Sequence, residues 1–311
     1  MGLFPKNLNE YVASLGIPRG PKSKAFLVDT VNGSDSNPGT SWQSPLKTLE
    51  AAEDLCTGDR HDAVLFLAGD TADNPAAAIA WDKDYTHLIG VGSEVYGLGQ
   101  RCRVVTQAAI AASPVITFSS NGCIVKNIQF YNEKAAGAAS GVAIVTGSRN
   151  YFGNVFFMSP VATDAGSYSL KMSGNENVFE RCTIGQFTNA RSAASYGLWL
   201  HGATSVSRNK FIKCEFLSWA AAADHVHVLV DADVATVPWV TWFEDCLFDN
   251  IGTALTEAIN DNSSAAGHQI VLRGHNDFLN ATAVGGTLTY TFAPDAASNV
   301  SGLLMIAVAE S

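Results

Sequence analysis

Val125-Lys-Asn-Ile128-Gln-Phe130, Phe152-Gly-Asn-Val155-Phe-Phe157, Phe179-Glu-Arg-Cys182-Thr-Ile184, Phe211-Ile-Lys-Cys214-Glu-Phe216 and Phe243-Glu-Asp-Cys246-Leu-Phe248 share one apolar frame, with large residues at offsets 0, +3 and +5. Their starts lie 27, 27, 32 and 32 residues apart. The +3 to +5 step is the alternation of a strand, so both side chains point to one face. The 0 to +3 step breaks that alternation and places a bend between two short strands. Upstream of the copies lie further alternating runs, Val142–Val145, Tyr168–Met172, Gly197–Leu200 and Val226–Val230. A sixth, weaker copy is read at Asn276–Asn280, with His268–Leu272 as its upstream run.

Three short strands per repeat of this length describe one coil of a parallel β-helix, with successive coils about 4.8 Å apart. Stacking then generates inward columns: Val125, Phe152, Phe179, Phe211, Phe243; Ile128, Val155, Cys182, Cys214, Cys246; and Phe130, Phe157, Ile184, Phe216, Phe248. Asn150, Asn177 and Asn209 precede the first column and are placed to hydrogen-bond along the axis. The six cysteines show no paired or metal-type spacing and are expected to be reduced core residues. The extra residues of the longer coils fall in 188–195, 201–207 and 231–238, where binding on a constant scaffold is expected.

Composition agrees with many short strands and turns. Apolar residues make up 47% of the 311 positions and charged residues only 15%, with 27 glycines. Nineteen basic against 29 acidic residues give a net charge of −10, which argues against a nucleic-acid partner. No apolar run has the length of a membrane span, and the first residues lack the pattern of a secretory signal.

The run Val28-Asp-Thr-Val-Asn-Gly-Ser-Asp-Ser-Asn-Pro-Gly-Thr40, then Pro45–Ala52, Val64–Gly69 and His87–Gly92, resembles the entry segment of pectin-lyase-like right-handed parallel β-helix proteins. The resemblance covers residues 26–280. It implies an all-β solenoid, with a 1–25 N-terminal arm and a 281–311 C-terminal β extension or hairpin. A capping helix is expected from Pro45 to Cys56, with Ser44 as its N-cap and Leu46, Leu49, Ala52 and Leu55 on one face. Leu8, Tyr11, Val12 and Leu15 form a further helical face. Strands are expected at 286–292 and 302–309, the latter apolar enough to cover the last coil or to meet another subunit.

The superfamily includes lyases, hydrolases, tailspikes and non-catalytic virion proteins, so the resemblance does not fix an activity. The motifs of its polygalacturonase branch are absent; His201-Gly202 and Arg273-Gly-His275 are fragments of them. The carboxylates best placed for chemistry are Asp231, Asp233, Glu244 and Glu180. Asp231 and Asp233 share a loop after a strand on which His225 and His227 share a face, a set that could act as two carboxylates or hold a metal. The simpler reading is a solvated strand face and its turn. Glu180 and Glu244 stand two coils apart, about 9.6 Å, a separation that suits inverting glycoside hydrolysis. Lys213 is expected to pair with Asp245, and Trp199, Trp219 and Trp239 to stack on sugars or fill subunit contacts.

The expectation drawn from these observations is a non-enzymatic virion structural protein, a phage capsid-decorating or tail-associated β-helix. Its expected partners are a homotrimer, capsid or tail proteins. The alternatives are a tailspike-type polysaccharide lyase or glycoside hydrolase acting on cell-surface glycan, and a non-catalytic glycan-binding adhesin. No cofactor, resident metal or membrane insertion is expected.

Overall fold

The computed structural model describes residues 7–92, 102–106, 113–134, 139–161, 164–202, 206–234, 239–262 and 268–285. The expected 286–292 and 302–309 strands and the Trp239 side chain lie outside them.

The chain winds as a right-handed parallel β-helix, the hand taken by nearly all parallel crossovers. The first sheet stacks Ala25–Val28, Ala63–Leu67, His87–Val91, Ile124–Asn132, Tyr151–Phe157, Val178–Glu180, Asn209–Ile212, Trp239–Glu244 and His268–Arg273. The second stacks Ile79–Trp81, Ile116–Phe118, Gly141–Val145, Tyr168–Met172, Tyr196–Leu200, Val226–Val230 and Ile259–Asp261. Beyond the bend, a third wall runs through Arg103–Thr106, the distal parts of Ile124–Asn132 and Tyr151–Phe157, then Thr183–Arg191, Glu215–Ala220, Leu247–Gly252 and Asp277–Leu279.

The register reproduces the sequence columns. Val125 pairs with Phe152, Phe152 with Phe179, Phe179 with Phe211, and Phe211 with Phe243. Successive rings from Phe152 to Phe243 stack at 4.6, 4.7 and 5.1 Å between centroids, with interplanar angles of 13° or less. All of these rings are fully buried. Cys182, Cys214 and Cys246 stand buried at the bend, each thiol donating to a carbonyl of the preceding coil at 3.4 Å.

The bend itself is a left-handed residue. Asn127, Asn154, Arg181, Lys213 and Asp245, at offset +2, have φ between 51° and 56°. A non-glycine residue there costs about 1–2 kcal/mol, tolerated because the buried columns on either side fix the corner. Beside it runs the asparagine ladder. Asn150 N donates to Asn177 Oδ1 at 2.9 Å, and Asn177 N to Asn209 Oδ1 at 2.9 Å. Their amides donate to the Ser120, Gly147 and Gly174 carbonyls.

Four local expectations are corrected. His268–Arg273 is not an upstream run of the second sheet; it pairs in the first, Leu272 lying over Phe243. Ile259–Asp261 takes the second-sheet place, with Ile259 over Val228. The capping helix is Leu49–Leu55 with Thr48 as N-cap, not Ser44. Leu46 is drawn into pairing with the first strand (Leu46 N to Leu27 O, Asp29 N to Leu46 O), and Asp35 receives the Lys47 and Thr48 amides. Leu49 and Ala52 of that helix cover the start of the core, whereas Leu55 is exposed. The Lys213–Asp245 ion pair is not among those of the described residues; Asp245 Oδ1 accepts the His275 amide at 2.9 Å.

A first helix, Leu8–Ser14, is capped by Asn7, whose side chain accepts from Glu10 N. Its Leu8 and Val12 pack on the outer face of the first sheet, against Ala25, Leu27, Ala63, Leu65 and Ile89. Leu15 is exposed rather than part of that face. No helix among the described residues is long and apolar enough to cross a membrane.

Candidate functional site

Three adjacent strands of the second sheet, Tyr168–Met172, Tyr196–Leu200 and Val226–Val230, end side by side. Lys171 is in register with Trp199, and Trp199 with Leu229. The chain then leaves the Tyr196–Leu200 strand at His201-Gly202 and the Val226–Val230 strand at Asp231–Asp233. Parallel stacking lays these two exits over one another: His201 N donates to Met172 O, and Asp231 N to Leu200 O, each at 2.9 Å.

The outcome is a convergence of two carboxylates on one imidazole. His201 Nδ1 lies 3.1 Å from Asp231 Oδ2 and 3.0 Å from Asp233 Oδ2. The second oxygen of each carboxylate is anchored on backbone. Asp231 Oδ1 accepts from Ala232 N at 2.7 Å, and Asp233 Oδ1 from Gly202 N at 3.0 Å. Gly202 has φ 126°, a conformation that favours glycine. Trp199 Nε1 adds a hydrogen bond to Asp231 Oδ2 at 2.9 Å.

Burial alone would raise the Asp231 carboxyl, but the hydrogen bonds from His201, Trp199 and the Ala232 amide outweigh it and hold the group below the ordinary carboxylate range. Asp231 is therefore an acceptor, not a proton donor. Lys171, the nearby cation, lies 3.9 Å from the Trp199 ring centroid. Partial burial lowers its pKa, against the pull of Asp231 and Asp233. Tyr168 and Tyr196 flank the same tryptophan, with centroids 5.7 and 5.3 Å away. Burial pushes the Tyr168 phenol up to about 12.

Asp231 and Asp233, expected from sequence, thus come together, and they do so with His201 rather than with His225 or His227. Those two histidines do not form a solvated face. They are 2% and 1% exposed, and lie at 5.8 Å from each other within the wall. His225 Nδ1 meets Ser195 Oγ at 3.0 Å, while neither ring nitrogen of His227 has a partner among the described residues. Burial holds both well below the ordinary histidine range, His227 at about 3. The missed residue was His201, and the signal for it is the register of the two strands: Trp199 overlies Leu229, and the same offset carries His201 onto Asp231 at the strand exits.

Glu180 and Glu244 occupy a different face. They project from the first sheet, each in register with Ile212 between them, so two coils apart at about 9.6 Å. Glu180 accepts from Tyr151 Oη at 2.8 Å, and Trp242 lies between Lys210 and Arg273, at 5.4 and 5.7 Å. The structure does not bring these glutamates to the aspartate pair. Of the tryptophans expected to stack on sugars, Trp199 has a ring face taken by Lys171, while Trp219 is 40% exposed on the third wall.

No family model matches the sequence, and no curated protein does. Solved structures do match. A deglycosylated pectin methylesterase from Aspergillus niger is 15% identical, with a TM-score of 0.52 over 90% of this chain and 89% of that one. The fold is the pectin-lyase-like parallel β-helix. A pectin methylesterase in complex with hexasaccharide VII is 14% identical, with a TM-score of 0.50 over 84% and 80% of the two chains. ORF18 of Geobacillus virus E2 is 11% identical, with a TM-score of 0.47, covering 91% of this chain and 62% of its own. At such identities the likeness is one of fold, and function has to be argued from the site.

Proposed function

We propose that this chain is a glycan-recognising β-helix that binds its ligand at the His201–Asp231–Asp233 edge and does not cleave it there. The observation that carries this reading is the convergence of two backbone-anchored carboxylates and an imidazole on one half-exposed point, beside the loops whose length varies from coil to coil. Carboxylates accept from sugar hydroxyls, and the imidazole and the Tyr196 and Tyr168 phenols supply neighbouring polar and apolar surface. Binding is favoured over hydrolysis because the Asp231 and Asp233 oxygens lie within 4.8 Å of one another on a shared imidazole, closer than the roughly 5–9.5 Å at which paired glycosidase carboxyls flank a scissile bond. In the same reading the solenoid is a virion component, a capsid-decorating or tail-associated homotrimer that presents this edge to a cell surface.

A glycan array probed with the purified chain, followed by mass spectrometry of the bound glycans, tests the reading. Retention of intact glycan, lost on Asp233→Asn, supports it. New reducing ends or unsaturated products would replace it with the tailspike-type depolymerase reading, and the Glu180–Glu244 face would then be mutated first. Copy number in purified particles tests the virion setting: a fixed ratio to a capsid or tail protein is expected, and a free monomer contradicts it.

A further inference from the structure

The two carboxylates on His201 do not balance as hydrogen bonding alone. Nδ1 of an imidazole carries at most one proton, yet two carboxylate oxygens stand at full hydrogen-bond distance from it, 3.0 and 3.1 Å. Lys171 does not make up the deficit: its ammonium lies on the Trp199 ring, and no ion pair joins it to Asp231 or Asp233 among the described residues. A single shared proton between two anions is the arrangement that a cation replaces.

The orientation of the carboxylates points the same way. In both, Oδ1 is held by a backbone amide, which leaves Oδ2 aimed at the common point. Trp199 Nε1 further fixes Asp231 Oδ2 from outside. These are the outer-shell contacts that orient metal ligands. Distances agree as well. In a tetrahedral zinc site with bonds of about 2.0–2.1 Å, ligand atoms sit roughly 3.3 Å from one another. The nitrogen-to-oxygen separations here are close to that edge, and the three donor atoms all lie within 4.8 Å of one another.

We propose that His201 Nδ1, Asp231 Oδ2 and Asp233 Oδ2 form a three-ligand site for a divalent first-row transition ion, typified by Zn²⁺, with its fourth position open to a glycan hydroxyl. The mixed imidazole and carboxylate set suits such an ion better than Ca²⁺, which takes six to eight oxygens. On binding, the Nδ1 proton leaves to solvent or the ring takes its Nε2–H tautomer, and the metal accepts the freed lone pair. No bond in the protein is broken. The open fourth position rests on the glycan reading above; the metal site does not.

Zn²⁺ alone, titrated calorimetrically into the full chain after dialysis against EDTA, is the test, with Ca²⁺ as the comparison ion. One Zn²⁺ per chain is expected, with Ca²⁺ much weaker. His201→Ala and Asp233→Asn should each weaken binding by roughly tenfold or more, and Trp199→Phe by roughly tenfold through its outer-shell contact. Circular dichroism establishes that each variant is folded; Asp233 is half-exposed, so its variant decides if His201→Ala does not fold. Absence of stoichiometric Zn²⁺ binding overturns the proposal, as does binding that survives both substitutions, which would place the ion elsewhere, for example at the exposed His275–Asp277 pair. Zn²⁺ binding without glycan binding removes the reading above and keeps the site; glycan binding without Zn²⁺ binding does the reverse.

Discussion

Asn177→Ala probes the ladder that holds the bends in register. The Asn177 side chain is fully buried. Its Oδ1 accepts the Asn150 amide at 2.9 Å and its Nδ2 donates to the Gly147 carbonyl at 3.0 Å. Truncation leaves one donor and one acceptor unpaired. At about 1–3 kcal/mol for each, the loss is about 2–6 kcal/mol. A change of about 4 kcal/mol in a chain of this size lowers Tm by roughly 6 °C. Asn177→Asp keeps the acceptor but turns an oxygen toward the Gly147 carbonyl, so it should not rescue. Asn175→Ala serves as the control, because that side chain, though bonded to the Ser207 amide at 3.0 Å, is half-buried. Thermal melts and urea titrations followed by far-ultraviolet circular dichroism read the effect. If Asn177→Ala stays within about 0.5 kcal/mol of the parent, the range of an ordinary surface change, the ladder is ornament and the energetic reasoning fails.

Other expectations follow from the same geometry. His227 is a base whose folded pKa, about 3, lies below its ordinary 6.5. The folded state then binds fewer protons, so stability is lost as pH falls from about 6.5 toward 3, by about 1.4 kcal/mol per unit. His225 acts in the same direction; Asp73, raised by burial to about 6, opposes both between 6 and its ordinary 3.8. His227→Leu should flatten the slope between about pH 7.5 and about pH 5 in urea titrations, and an unchanged slope refutes the assignment. Phe179→Ala, which removes a ring stacked on both sides, should cost about 3–5 kcal/mol, read by the same titrations. The buried thiols of Cys182, Cys214 and Cys246 should resist a thiol reagent until the chain is unfolded; rapid labelling of the native protein would contradict their placement.

The solenoid was legible because one apolar frame recurs at nearly constant spacing, and stacked coils convert recurrence directly into columns. The asparagine ladder was readable for the same reason. Other features were not, since they depend on neighbours rather than on local pattern. Lys213 and Arg181 carry no sign that they adopt a left-handed conformation; the columns on either side impose it. Pro45 after Ser44 has the chemistry of a helix start, but the pairing of Leu46 with the first strand takes priority. His225 and His227 look like outward strand residues, yet both are buried. At the site, Asp231 and Asp233 were legible as a pair of carboxylates, whereas His201 required the register of the second-sheet strands, which differs from the spacing of the apolar frame and lays His201 over Asp231.

On the proposed function, ligand binding belongs to the second-sheet edge and not to the outer face of the first sheet. Titration calorimetry of the strongest glycan from the array, against the parent chain, Asp233→Asn and Glu244→Gln, decides it. Asp233→Asn is expected to abolish measurable binding while Glu244→Gln leaves it unchanged. Binding lost in Glu244→Gln and retained in Asp233→Asn would overturn this placement and move the site to the Glu180–Glu244 face.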